Sequence, residues 1–226
     1  MIIWCPNQLC ECTKLISPKP KTGFFMFSSR EDTRKLRTSI KKTFVDSGFH
    51  LINAMERVGS DDVYCKICEQ ILSSAFGVAL ITKYTPPPSL YNIYLEIGLM
   101  RAFGKEVLIL TPDRSLIASD LEGKGVLPYT NENDLEHGIH TWIDQIPARI
   151  QDYNTFAEIY LKESKDYEKF FDYSRKAIMF GDFDLPVRRL DEVFNGKASS
   201  NTRLSRRLRS EVNSFLEFAK RAEKQQ

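Results

Sequence analysis

The sequence predicts an α/β protein: a five-stranded parallel sheet with helices on both faces, followed by an all-helical C-terminal appendage. Three observations carry this expectation. Short apolar runs alternate with longer segments of helical spacing as far as about residue 150. Those runs are apolar throughout, as strands buried on both faces are, and do not alternate polar with apolar. From Gln151 onward the strand-like runs stop and only helical spacing remains.

Taken in order, residues 1–22 are irregular, with three cysteines and several prolines and lysines, and read as an arm. Gly23-Phe24-Phe25-Met26-Phe27-Ser28 is the first buried strand. Glu31 to Asp46 is helical, with Leu36, Ile40 and Phe44 on one stripe and Gly48 as its stop. Phe49–Ala54 is a second strand. Ser60-Asp61-Asp62 caps a helix carrying Val63, Ile67 and Ile71. Phe76 to Thr82 is a third strand. Lys83 to Leu90, with three consecutive prolines, is expected as a loop, and a helix then runs from about Tyr91 to Phe103. Glu106 to Thr111 and Val126 to Tyr129 supply two more strands, and a helix over Asp134–Ile150 completes the alternation. The implied domains are the arm over 1–22, an α/β domain over 23–150 and helices over 151–226. Within the last, Asp166–Phe180 and Leu185–Phe194 flank a turn at Gly181–Asp184. A final amphipathic helix over Thr202–Ala222 presents Leu204, Leu208, Val212, Phe215 and Ala219.

Strands joined in this way favour a flavodoxin-like order, in which ligands bind beyond the carboxyl ends of the strands. Ser28, Ser29, Arg30, Glu56, Arg57 and Thr82–Asn92 fall at that edge.

Composition excludes several function classes. A net charge of +2 gives no global field for nucleic acid, although the last helix gathers Arg203, Arg206, Arg207, Arg209, Lys220, Arg221 and Lys224. Such a run is usually a solvated face, and stacking aromatics do not accompany it, so nucleic acid is not the expected partner. No apolar run reaches the roughly 20 residues of a membrane span, so no membrane association is expected. The N-terminus lacks the pattern of a secretory signal, and five cysteines without one fit a reducing, cytoplasmic setting.

The segment Asn92-Ile93-Tyr94-Leu95-Glu96-Ile97-Gly98-Leu99 carries the best catalytic candidate, Glu96. Asn92 and Glu96 are four apart and share a helix face. A carboxylate in the first turns of a helix at the ligand edge would stabilise, or attack, a ribosyl cation during N-glycosidic cleavage. Read by residue type alone, Glu96 is an ordinary solvated glutamate.

Cys65-Lys66-Ile67-Cys68-Glu69-Gln70-Ile71 and the run from Asn92 to Lys105 stand at a familiar separation, and Ser119-Asp120-Leu121 and Pro128-Tyr129 follow. Across residues 23–146 the chain resembles the Toll/interleukin-1 receptor (TIR)-like and nucleoside 2-deoxyribosyltransferase-like superfamily. The resemblance implies that Glu96 is the catalytic residue and that Ser28, Ser29, Arg30, Thr82, Tyr84 and Asn92 line the substrate site. By position, Arg57 would meet a phosphate and Asp62 a ribose hydroxyl. It implies an NAD glycohydrolase with NAD as substrate and no cofactor. It further implies a prokaryotic antiviral defence effector, active on assembly, with the helices as the homo-oligomerising part. The deoxyribosyltransferase members carry an aspartate where this chain has Leu80, which places NAD cleavage ahead of deoxyribosyl transfer or other nucleotide N-glycosidase chemistry. A binding module for a nucleotide or cyclic nucleotide is the alternative outside enzymology.

Other motifs are weaker. Cys5, Cys10, Cys12, Cys65 and Cys68 contain thiolate pairs that suit zinc, but their spacing is no standard knuckle, and Cys65-x-x-Cys68 in an apolar helix is more often core. No metal is expected. His137 and His140 read as a surface pair. The stretch from Phe156 to Phe194 is faintly tetratricopeptide-like, but a helical hairpin packed on the α/β domain or on a second subunit is the better reading.

Overall fold

The computed structural model describes residues 17–53, 63–121, 123, 125–196 and 206–223. The chain divides into two compact units, one spanning Lys21–Asp144 and the other formed mainly by the residues from Gln145 onward.

The first unit contains the expected parallel sheet. Its strands are β1 (Thr22–Met26), β2 (His50–Ile52), β3 (Phe76–Leu80), β4 (Val107–Thr111) and β5 (Val126–Pro128), in the order β2-β1-β3-β4-β5. Every neighbouring pair is parallel, and Met26 pairs with Ala79 at the carboxyl ends of β1 and β3. This is the flavodoxin-like order. β1, β3 and β4 are buried at every position, which explains why their sequences show no polar alternation.

The helices connecting the strands are α1 (Arg34–Asp46), α2 (Val63–Ser73), α3 (Pro87–Ala102) and α4 (Glu132–Asp144). α1 packs on α4, and α2 on α3. Against the sheet, Phe44 of α1 and Trp142 of α4 close on Phe76, with ring centroids 5.7 and 5.1 Å away respectively. The core that includes α3 joins Ile93, Ile97 and Met100 to Phe24, Met26, Ala79, Ile81 and Ile109. Gly125, at φ +80°, leads into β5, and a Cβ there would collide with the Val107 carbonyl oxygen.

Three expectations are corrected. Lys83–Leu90 is not wholly a loop, because α3 starts at Pro87. Proline lacks only an N–H that the first helical turn leaves unbonded in any case, and its fixed φ suits that turn. The helix expected over Asp134–Ile150 is two helices. α4 ends at Asp144, and α5 (Ile146–Ile159) begins with Pro147 in its first turn. The first helix also starts later than its spacing implies, since Glu31–Thr33 is a 3-10 turn ahead of α1.

The second unit is helical: α5, a π-helical turn at Tyr160–Ser164, α6 (Tyr167–Met179), α7 (Asp184–Asn195) and α8 (Arg206–Glu223). Its core gathers Phe170, Phe171, Ile178, Leu190, Phe194, Val212 and Phe215. The α6–α7 hairpin packs on α5 and α8, so it is not an isolated repeat. Glu158 of α5 holds Arg189 of α7 through two bonds, Nε to Oε1 at 2.6 Å and Nη2 to Oε2 at 2.8 Å. Among the described residues, no helix is long and apolar enough to cross a membrane.

Candidate functional site

The topology locates the crevice before any side chain is considered. β1 and β3 are neighbours, but the chain leaves β1 towards β2 and leaves β3 towards β4. Their outgoing loops therefore diverge, and a gap opens at the carboxyl edge between them. Residues 27–33 lie on one side and residues 81–86 on the other.

Four of the five strands end at this edge in, or just before, a small polar residue. Ser28 follows β1, Asn53 follows β2, Thr82 follows β3 and Thr111 closes β4, and all four are buried. Ser28 and Thr82 were expected at the site. Asn53 and Thr111 were not, although a polar residue ending an apolar run was the available signal.

The β1 loop is tied down locally. The Thr33 hydroxyl donates to the carbonyls of Ser28 (3.2 Å) and Arg30 (2.9 Å). Arg37 donates to the Arg30 carbonyl at 3.2 Å, and its guanidinium lies 4.6 Å from the Phe27 ring centre. The Arg37 Nε is buried with no hydrogen-bond partner. Ser29 and Arg30 are exposed, and Arg30 pairs with Asp32 at 3.3 Å. On the other side, the Thr82 amide is held by the Thr85 hydroxyl at 3.0 Å, and the Tyr84 amide donates to the Thr82 hydroxyl at 3.3 Å. Tyr84 is exposed, with the Lys83 ammonium 5.0 Å from its ring centre.

Asn92 and Glu96 both belong to α3, and here the expected geometry changes. Because α3 begins at Pro87, Glu96 stands in its third turn, roughly 13 Å along the axis from its start, and not in the first turns. Asn92 is exposed and Glu96 is half-buried. Tyr94 fixes the rotation of the helix. Its hydroxyl donates to the Leu116 carbonyl (2.7 Å) and accepts from the Ala118 amide (3.2 Å), tying α3 to the loop after β4. Two residues turn a helix by about 200°, so Glu96 faces the opposite flank, towards α2.

Among the described residues, Glu96 makes no hydrogen bond or ion pair. Burial without compensation pushes its carboxyl up to about 7. Such a group is poised between acid and base at neutral pH, and a cationic ligand beside it would draw out the charged form.

Leu80 is buried at the end of β3 and offers no carboxylate. His140 is half-exposed, 3.4 Å from the Ser47 hydroxyl and 3.9 Å from Glu136, as a surface histidine would be. Arg57, Asp62, Cys5, Cys10 and Cys12 lie outside the described residues, as do the Ser60–Asp62 cap, Leu204 and the side chain of Cys65. Among the described residues no group of three or more His, Cys, Asp or Glu side chains is arranged to hold a metal. A second concavity, of about 570 Å3, belongs to the helical unit and is lined by Ile150, Asn154, Glu158, Ile159, Lys162 and Leu185 among others.

Among known proteins, no family pattern matches the chain and no curated protein matches it.

Proposed function

We propose that this crevice hydrolyses the nicotinamide–ribose bond of NAD. The observation that carries the reading is Glu96: a half-buried carboxyl with no partner among the described residues, on the helix that follows the switch-point strand, with its pKa pushed up to about 7. A site that needs only to fold gains nothing from such a group. A site that must stabilise a developing positive charge does.

In the reaction, the C1′–N bond breaks and its electron pair leaves with nicotinamide. The ionised Glu96 stabilises or captures the ribosyl cation. Water then supplies the oxygen at C1′ and releases one proton, giving ADP-ribose. Ser28, Ser29 and Arg30 would hold one end of the dinucleotide, with Thr82, Tyr84 and Asn92 on the other side of the crevice. The substrate pool fits a cytoplasmic enzyme. Activation by assembly, with the helical unit as its receiver, completes the proposal of a defence effector.

The test is to incubate concentrated protein with NAD, and separately with a deoxynucleoside panel, following free nicotinamide and free base. Glu96→Gln keeps the shape and removes the charge, and should lower the rate by more than about a hundredfold. Because the ionised form acts, kcat/KM should rise with pH through about 7, and the limb in kcat should fall lower once a cationic ring is bound. Unchanged turnover in Glu96→Gln would end the assignment.

Two observations favour a second reading. The depth of Glu96 along α3 and the exposure of Asn92 suit a crevice that binds a nucleotide at its rim without turnover. Nucleotide binding, with no product from either form, would establish that module.

A further inference from the structure

The outer face of α3 departs from what a surface helix ordinarily shows. Tyr91 is 68% and Leu95 50% exposed, and Gly98 and Ala102 are exposed too. At about 100° per residue these four fall within one sector of roughly 60°, directly opposite the buried Ile93, Ile97 and Met100. The helix is therefore apolar on its inner and outer faces, whereas a solvated helix carries polar residues outward. Gly98 sharpens the point. A Cβ there would meet nothing within 4 Å, so no contact among the described residues requires glycine. Glycine in a helix interior costs about 1 kcal/mol relative to alanine, so it gains nothing for the isolated fold.

Read along the helix, the stripe runs large, large, small, small. Laid antiparallel on a copy of itself about the midpoint between residues 96 and 97, it becomes complementary. Tyr91 meets Ala102 and Leu95 meets Gly98, each pair occurring twice. Laid parallel, large would meet large and small would meet small. We propose that this face is a two-fold interface on which a second copy of the chain docks its own α3 antiparallel, with Leu95 seated on the bare backbone at Gly98. Such an arrangement is isologous, the commonest symmetry of soluble oligomers. Glycine at the crossing lets the backbones approach closely. A single helix pair buries less than the roughly 800 Å2 per partner of a standard interface, so the dimer forms in proportion to concentration. Asn92 borders the seam on the flank that also carries Glu96. The proposal does not depend on the reading of Glu96.

Sedimentation equilibrium over a wide concentration range tests it. The wild-type mass should rise from the 26.1 kDa of one chain towards twice that value. Leu95→Glu alone and Gly98→Lys alone should each remain monomeric over the same range, because like charges then surround the two-fold axis or lysine fills the seat. Both positions are exposed, and circular dichroism should show each variant folded. An equimolar mixture of the two variants should recover the dimer, because the new carboxylate of one chain faces the new ammonium of the other. A wild type that stays monomeric throughout would overturn the proposal. So would either variant dimerising as well as the wild type, or two folded variants that fail to pair when mixed.

Discussion

Glu96 holds a carboxyl in a place where protein replaces water and, among the described residues, nothing replaces water's hydrogen bonds. Its pKa is raised from 4.5 to about 7, so the folded state binds a proton more tightly than the unfolded chain does. The resulting stability is fully present below pH 4.5 and is lost as pH rises through 7. Above that, the ionised group costs about 3 kcal/mol at most. Glu96→Gln should therefore melt higher than wild type at pH 8 and alike at pH 4.5, whatever it does to activity. Urea titrations at the two pH values measure this, and an equal effect at both would show that burial is not the cause. At this scale the sequence was partly legible. Ser28 and Thr82 could be placed from strand ends. The desolvation of Glu96 could not, because it depends on how α3 is rotated by Tyr94 and on the neighbouring helix, and neither is encoded within the Asn92–Leu99 segment.

Among the elements, the buried strands were legible because a strand covered on both faces leaves a run such as Phe76–Leu80 with no polar interruption. Helix boundaries were less so. Three prolines at 86–88 signal a break, yet two of them initiate α3, and that shift moves Glu96 by about a turn. Spacing also continued across Gln145, where the chain in fact changes from one helix to the next. Two glycines that look alike in sequence should behave oppositely. Gly125→Ala forces a side chain into φ +80° and against the Val107 carbonyl, and should cost about 2 kcal/mol or more. Gly98→Ala meets open space in a helix and should stabilise the monomer by up to about 1 kcal/mol. Thermal melts of the two variants at low protein concentration check both signs.

For the whole molecule, the shifted carboxyls define the shape of stability against pH. Glu158, bonded by Arg189 and Lys162, is held down at about 2, so its contribution is present above 4.5 and is lost as pH falls towards 2. The pair is partly exposed, which keeps that contribution to about 1 kcal/mol. Glu96 works in the other direction at higher pH. Between them these two carboxyls place the maximum near pH 4.5. Glu158→Gln should flatten only the acid limb and Glu96→Gln only the neutral-to-alkaline one. Melting temperatures from pH 2 to 9 for the three proteins check this, and one variant altering both limbs would refute it.

The strand order also sets a timetable. β1 is finished by Met26, but its partner β3 does not end until Leu80, and among the described residues no hairpin offers a local pairing in the meantime. The centre of the sheet must wait for a loop of some fifty residues to close, whereas α5 and α6 meet almost at once across a short turn. During synthesis an apolar strand is therefore exposed for the time the ribosome takes to add those residues, and stopped-flow refolding should show helix forming well before Trp142 is buried against Phe76. The same parallel order that opens the crevice thus leaves the nascent chain dependent on whatever shields Phe24-Phe25-Met26 in the interval.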